Sequence, residues 1–366
     1  MSTGVDRYRM REQQTSDSGG SDGTLRIALN GFGRIGRNVL RASLSDDEID
    51  LVAVNDVMDD DDKEYLFRYD SVFGRFDGVS RDGETLFVDD QAVQLLTEKD
   101  PSALPWDDLD IDIVFEATGL FRSHDEASQH LDAGAQKVII SAPATGDKPV
   151  PMFVYGVNHE EYDGQDVVSN SSCTTNSIAP VAMILEDEFG IESGLLTTVH
   201  AYTSSQHLID GPSDKRTRGR AAAENIVPTT TGAGIAATEV LPELENKLRA
   251  MAIRVPVPNG SVTDLSVSLA TEVTMDDIAD VIRDAADGDL NGVLGYTDEE
   301  IVSRDIVGLP YAAYVDLEAS MVEEGGLVKV LTWYDNEYGF SHQMIRLARY
   351  VAAETGLGGI EETAVP

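Results

Sequence analysis

The chain holds one cysteine, Cys173, in the run Ser169-Asn170-Ser171-Ser172-Cys173-Thr174-Thr175-Asn176. A lone cysteine is more often buried as a small hydrophobe, but hydroxyl and amide residues on both sides poorly suit an apolar site and favour a reactive thiol. Val167-Val168 precedes it and a helical run reaching Phe189 follows, so the thiol falls near a helix start. Unpaired backbone N–H groups and the dipole there stabilise thiolate, and the same N–H groups can hold an oxyanion. A thiol that attacks carbonyls profits from a base, and six histidines compete: His124, His130, His159, His200, His207 and His342. His200 is preferred because it ends the strand-like Leu195-Leu196-Thr197-Thr198-Val199, whereas the others sit in polar or amphipathic stretches.

A second chemistry lies near the start. Gly31-Phe32-Gly33-Arg34-Ile35-Gly36 fits G-x-G-x-x-G and stands directly after one strand-like run and at the opening of a helical one. In that context the first glycine permits a tight turn, the second lets backbone approach a pyrophosphate, and the third lets helix and strand pack closely. Asp56 follows at the end of the next apolar run, where a carboxylate accepts hydrogen bonds from a ribose diol and repels a 2′-phosphate. NAD is therefore favoured over NADP, against the plainer reading of a glycine turn without a ligand. A third cluster combines Arg216, Arg218 and Arg220 with Thr229-Thr230-Thr231-Gly232, with Thr203 before it and Arg254 farther along. Guanidinium, hydroxyl and backbone N–H groups together recognise phosphate; the competing reading is surface pairing with the abundant carboxylates.

Positioning these residues requires two kinds of texture. Leu25–Leu29, the glycine turn, helical spacing over Ile35–Leu44 and the run Leu51–Val54 read as strand, helix, strand. Further buried-strand candidates at Ile111–Ala117 and Lys137–Ile140, with a helical stretch between them ending near Gly134, make residues 25 to about 150 doubly wound. After Cys173, longer alternating segments at Leu195–Tyr202, Val262–Ala270 and Leu327–Trp333, with fewer helices, predict a mainly antiparallel sheet. Met344–Ala353 has helical periodicity. The expected class is α/β: an N-terminal doubly wound Rossmann domain plus an α+β catalytic domain.

Composition narrows the function classes. Among 366 residues, 66 are Asp or Glu and 27 Lys or Arg, a formal charge of −39, while 42% apolar content still builds ordinary cores. Such a surface repels phosphate backbones and anionic lipid, which argues against nucleic-acid or membrane binding. The acids recur along the whole chain, as at Asp59–Asp62, Asp107–Asp112, Glu186–Glu188, Asp276–Asp280 and Asp298–Glu300, and so coat a surface. In molar salt the Debye length is about 3 Å and their repulsion is screened, which suits a halophile's cytosolic protein better than a moderately acidic mesophile's. One cysteine forms no internal disulfide, and the lack of a Cys/His cluster leaves no metal site to expect. Residues 1–24 are polar and read as a flexible leader; no secretory or membrane-spanning run is seen, so a soluble, cytoplasmic protein is expected.

With these residues assembled, the chain resembles phosphorylating glyceraldehyde-3-phosphate dehydrogenases from about Leu25 to the C-terminal helix. The resemblance rests on Asn30-Gly31-Phe32-Gly33-Arg34-Ile35-Gly36-Arg37, Ser141-Ala142-Pro143, Gly156-Val157-Asn158-His159, Ser172-Cys173-Thr174-Thr175-Asn176, Thr198-Val199-His200, Arg254-Val255-Pro256 and Trp333-Tyr334-Asp335-Asn336-Glu337. It implies an NAD-binding Rossmann domain over 25–172 rejoined by 337–366, a catalytic domain over 173–336, and usually a homotetramer. It also implies that Cys173 is the nucleophile and His200 its activator, with the aldehyde of glyceraldehyde 3-phosphate passing through a thiohemiacetal and an acyl thioester to 1,3-bisphosphoglycerate by attack of inorganic phosphate. By the same likeness Arg34, Ile35, Asp56, Lys99, Ser141 and Asn336 would contact NAD beside the glycines. Ser172, Thr174, Thr203, Arg220, Thr231, Gly232 and Arg254 would serve substrate and phosphate.

Three positions depart from the usual pattern. Ser205 replaces a frequent Asp, Phe340 a frequent Tyr, and Lys99 a frequent adenine-side Arg, which keeps charge but loses a planar stacking surface. Pro212 in Asp210-Gly211-Pro212 agrees with an NAD preference. Two competing readings are an erythrose-4-phosphate dehydrogenase, separable only by relative turnover of the two aldehydes, and a non-catalytic NAD-sensing scaffold, against which the Cys173 and His200 pair argues.

Overall fold

The computed structural model describes residues 23–323 and 326–360; all but the last two residues of the expected leader, and the last six of the chain, lie outside them. Two compact units form. One runs to Val150 and adds Asp163–Val168 and the chain from Ala348; the other takes Pro151–Tyr162 and Ser169–Leu347.

The first unit is built on an eight-stranded sheet. Its strands are β1 (Leu25–Asn30), β2 (Ile49–Asn55), β5 (Val79–Asp82), β6 (Thr85–Val88), β7 (Gln91–Leu96), β8 (Ile113–Glu116), β9 (Lys137–Ile140) and β10 (Val167–Ser169), while β3 (Tyr69–Asp70) and β4 (Gly74–Arg75) form a separate ribbon. The order is β10-β9-β8-β1-β2-β7-β6-β5. The pairs of β1 with β2 and β8, β2 with β7, and β8 with β9 are parallel, and β5 to β7 add an antiparallel edge. Leu25, Ile27, Ala28 and Leu29 are wholly buried, as a strand covered on both faces requires. Helix α1 (Arg34–Ser43) follows β1 and α2 (Asp60–Arg68) follows β2. Where one helical stretch was expected before Gly134, two short ones occur, α3 (His124–Ala127) and α4 (Gln129–Asp132), the first closed by a Ser123–Glu126 capping box. The chain builds β2 and β7 on one side of β1, then β8 and β9 on the other, so the topological switch point lies between β1 and β8.

The second unit holds β11 (Ile191–Ala201), β12 (Val227–Thr229), β13 (Leu248–Val255), β14 (Ser261–Leu269), β15 (Leu294–Thr297), β16 (Ala313–Val322) and β17 (Leu327–Tyr334), ordered β12-β13-β11-β14-β17-β16-β15. Only β11–β13 and β15–β16 are parallel, so the sheet is mainly antiparallel. Helices α5 (Cys173–Phe189), α6 (Ala233–Val240) and α7 (Met275–Asp287) join its core, where Ile178, Leu185, Ala237, Val240, Ile278 and Ile282 meet Leu196, Leu265, Val267, Val328 and Val330. Along β11 the alternate residues face the other way, and Leu195 is 64% exposed. The last helix, α8 (Tyr338–Thr355), is initiated by Asp335, whose Oδ1 accepts from the N–H groups of Glu337 and Tyr338. Residues 151–162, 169–172 and 337–347, expected with the first unit, belong to the second. The physical reason is local: Val154 lies in its core and Met152 bridges Ser169.

Candidate active site

Ser172 caps α5: its backbone is extended and its Oγ accepts from Thr175 N–H at 3.0 Å. Cys173 is therefore the first helical residue, and no acid occupies the first turn to oppose an anion there. Just before the cap, Ser171 is held at φ 57°, a left-handed conformation that costs a non-glycine residue about 1–3 kcal/mol. The Asn176 amide clamps this turn by donating to the carbonyls of Asn170 (2.8 Å) and Ser172 (3.0 Å).

His200 comes from the end of β11, where parallel pairing sets it beside Arg254 of β13. Its Nδ1 lies 2.7 Å from the Ala201 carbonyl. A carbonyl only accepts, so Nδ1 carries the proton and Nε2 presents a lone pair, 3.5 Å from Cys173 Sγ. The Tyr334 ring meets the imidazole edge-on at 5.9 Å, and its hydroxyl bridges Thr174 Oγ1 (2.9 Å) and Thr198 Oγ1 (2.8 Å). Burial, reinforced by the charges of Arg254 and Arg218, pushes His200 down to about 3. Burial pushes the Cys173 thiol up, against the pull of Arg254 and of hydrogen bonds from Thr174 and its own N–H. Desolvation thus opposes the helix start at the thiol, and the imidazole turns its acceptor nitrogen toward it.

A family model described as glyceraldehyde 3-phosphate dehydrogenase, C-terminal domain, matches residues 172–336, and one for the same enzyme's NAD binding domain matches 25–124. The chain belongs to the glyceraldehyde-3-phosphate dehydrogenase family. It is 60% identical over 329 residues to the glyceraldehyde-3-phosphate dehydrogenase of Haloarcula vallismortis, covering 89% of this chain and 98% of that one. It is 47% identical over 333 residues to the enzyme of Priestia megaterium, covering 90% and 99%. The family is one of NAD-dependent dehydrogenases, and the first unit fits that cofactor.

A side chain at Gly31 (φ 105°) would strike the backbone of Ala117 and Thr118 at 2.6 Å, and one at Gly36 the carbonyl of Gly31 at 2.1 Å, so both glycines are required by packing. At Gly33 a Cβ would meet nothing within 4 Å. This exposed residue caps α1, whose first turn carries neither a capping side chain nor an acid, leaving room and dipole for a pyrophosphate. Asp56 accepts from Phe32 N–H at 2.6 Å and Met58 N–H at 3.0 Å, which fixes the carboxylate while leaving lone pairs for a ribose diol. Arg34 pairs with Asp70 and lies 5.7 Å over the Phe73 ring. Ile35 is half-buried and Lys99 exposed, the latter donating its backbone N–H to Glu98. Ser141 donates its N–H to the Glu116 carbonyl at 3.0 Å. Asn336 belongs to the second unit, where its Oδ1 accepts from Ser261 Oγ at 2.8 Å.

In the second unit, Arg254 donates to Ala201 O (2.9 Å) and Thr203 Oγ1 (3.3 Å), while its Nε is buried with no partner among the described residues. Thr203 bonds Ser205, which accepts from Arg218. Arg218 also donates to Thr229 Oγ1 and to the Thr230 carbonyl, which leads to Thr231 and to Gly232, the residue capping α6. Arg220, expected in this set, is exposed and turned instead to Asp210 at 2.8 Å. Thr174, also expected there, has its hydroxyl committed to Tyr334. Sequence reasoning left Tyr334 and Ser261 unassigned. The tyrosine's place in Trp333-Tyr334-Asp335, at the end of an alternating strand, is the one signal that could have singled it out.

Proposed function

We propose that the chain oxidises glyceraldehyde 3-phosphate to 1,3-bisphosphoglycerate with NAD and inorganic phosphate, a reversible step serving glycolysis and gluconeogenesis. The observation that carries the reading is the unprotonated Nε2 of His200 at 3.5 Å from Cys173 Sγ. Cys173 Sγ bonds the aldehyde carbon while His200 moves the thiol proton to the former carbonyl oxygen, giving a thiohemiacetal. Backbone N–H groups at the start of α5 would stabilise the charge that develops on that oxygen. His200 then withdraws the hydroxyl proton as the carbon becomes a thioester. Bound NAD supplies the acceptor for the hydrogen and electron pair which that carbon loses. Phosphate attacks the thioester, the C–S bond breaks, and His200 returns the proton to sulfur. The Gly31–Gly36 turn and Asp56 would seat the pyrophosphate and ribose, and Arg34, Ile35, Lys99 and Ser141 would flank them. Asn336, its oxygen fixed by Ser261, would offer an amide N–H to the carboxamide. Arg254 and Thr203, with Arg218 in place of Arg220 beside Thr231 and Gly232, would hold the two phosphates, and Ser172 would approach the thioester side.

The reading extends to a cytoplasmic homotetramer working in strong salt. No helix among the described residues is long and apolar enough to cross a membrane. Leu195 and Met251 on the outward sheet face, and Leu208, Ile209 and Ile226 elsewhere in the unit, are exposed apolar side chains that subunit contacts would cover. Asp59, Asp61, Asp62, Asp107, Asp108, Asp276 and Asp280 are exposed, which supports a surface suited to screened repulsion.

The deciding experiment is a spectrophotometric assay in multimolar KCl, comparing NAD with NADP and with and without phosphate. Turnover is expected only with NAD, and multiple turnover only with phosphate. Cys173→Ser is expected to lower turnover by at least about a thousandfold while NAD still binds; substantial activity in that variant overturns the covalent route.

A further inference from the structure

The switch point between β1 and β8 is where an open α/β sheet takes its ligand, and the last residues of those strands are Asn30 and Glu116. Both are buried, Glu116 to 1% exposure. A carboxylate so placed needs its oxygens filled by donors. Oε1 accepts from the N–H of Thr118 (2.8 Å) and from the Thr118 hydroxyl. Oε2 accepts from Asn30 Nδ2 at 2.6 Å and lies 3.3 Å from His130 Nε2.

The histidine's tautomer follows from its other side. Trp106 Nε1, a donor that cannot accept, lies 3.1 Å from His130 Nδ1, so Nδ1 is the acceptor and the proton sits on Nε2. Four groups able to donate, the Thr118 N–H and hydroxyl, Asn30 Nδ2 and His130 Nε2, therefore converge on the Glu116 carboxyl group. The chain of bonds continues outward. Asn30 Oδ1 accepts from Asn55 Nδ2 at 2.7 Å, and Asn55 makes both remaining amide bonds to the backbone of Glu98, at 2.9 and 2.8 Å. One buried network thus ties together the carboxyl ends of β1, β2 and β8 and the turn after β7. Those are the segments that carry Gly31, Asp56, Thr118 and Lys99.

We propose that Glu116 is a positioning residue for NAD. Its two oxygens hold the Thr118 turn against Gly31, where a single Cβ would already collide, and through Asn30 and Asn55 set the span to the Glu98–Lys99 turn. The crevice is then formed before the dinucleotide arrives, so binding costs little reordering of these four segments. Glu116→Gln keeps the shape but turns an amide NH2 toward one pair of donors, which must then separate.

The test is calorimetric titration of the full-length protein with NAD in multimolar KCl, alongside melting curves and steady-state kinetics. Wild-type titration establishes NAD binding by itself. Glu116→Gln is expected to raise the NAD dissociation constant at least about tenfold, with KM for NAD rising more than kcat falls and KM for glyceraldehyde 3-phosphate moving least. Thr118→Val removes one donor and is expected to weaken NAD binding severalfold, with Thr118→Ser restoring it; this pair decides the matter if Glu116→Gln fails to fold. A merely structural network predicts a lowered melting temperature with NAD affinity unchanged in the folded variants, and that result overturns the proposal.

Discussion

The two polar centres of the molecule are built on opposite terms. Around Glu116 the buried hydrogen-bonding groups find partners within the first unit, from Trp106 to Glu98. Around Cys173 they do not: both amide atoms of Asn170, the hydroxyls of Ser171 and Ser177, and Nε of Arg254 are buried without a partner among the described residues. Unmade hydrogen bonds of this kind each cost about 1–3 kcal/mol, as does the left-handed Ser171. The difference teaches where adaptability is stored. The dinucleotide side closes its buried bonds among its own residues, whereas the thiol side leaves several unmade among the described residues. The two buried histidines express the contrast: His130 has both nitrogens committed, whereas His200 has one committed and one turned to sulfur.

The contrast breaks if the thiol side tolerates loss of its open valences. The largest effect is expected for His200→Asn, which removes the proton acceptor: kcat should fall about a hundredfold to ten-thousandfold with NAD affinity retained. Arg254→Gln comes next. It deletes a half-buried guanidinium whose charge acts on both Cys173 and His200, and kcat/KM for the phosphorylated aldehyde should fall about tenfold to a hundredfold, since a charged hydrogen bond is at stake. An equal loss with an unphosphorylated aldehyde would show that Arg254 does not read the phosphate. Arg220→Ala should change the same quantity less than Arg218→Ala, because Arg220 is spent on Asp210; the reverse order would return Arg220 to the site.

These centres were unequally legible in the sequence. The dinucleotide motif is contiguous, strand then turn then helix, so Gly31 to Gly36 and Asp56 could be read without knowing the fold. Cys173 and His200 were readable for a similar reason: each sits at the end of an element whose apolar pattern announces it. The different settings of Arg218 and Arg220 could not be read, because they depend on Asp210 lying opposite Arg220 across the loop. The network at Glu116 was invisible because its members span Asn30 to His130 and meet only when the parallel sheet forms, although a polar residue closing each of three apolar strands was a signal that could have been taken. The antiparallel edge over β5 to β7 went unread despite the Asp82-Gly83 turn, and α7 despite Thr274 and Asp277, which form a capping box.

The smallest expected effect sharpens the comparison through stability. His200 is 4% exposed and its folded pKa is depressed from 6.5 to about 3. The unfolded chain therefore binds a proton that the folded chain refuses between those values. Stability is unaffected by this residue above the unfolded value and falls as pH drops below it, until the folded pKa is reached. At a slope of about 1.4 kcal/mol per pH unit, the loss amounts to about 2 kcal/mol by about pH 5. Carboxylates titrate nearby in pH, so the quantity to measure is the difference in slope between wild type and His200→Asn, from urea unfolding at fixed KCl. The variant should lose stability more shallowly between about pH 6.5 and 5. Equal slopes would mean that the folded and unfolded chains take up this proton over the same range, and that burial does not hold His200 unprotonated.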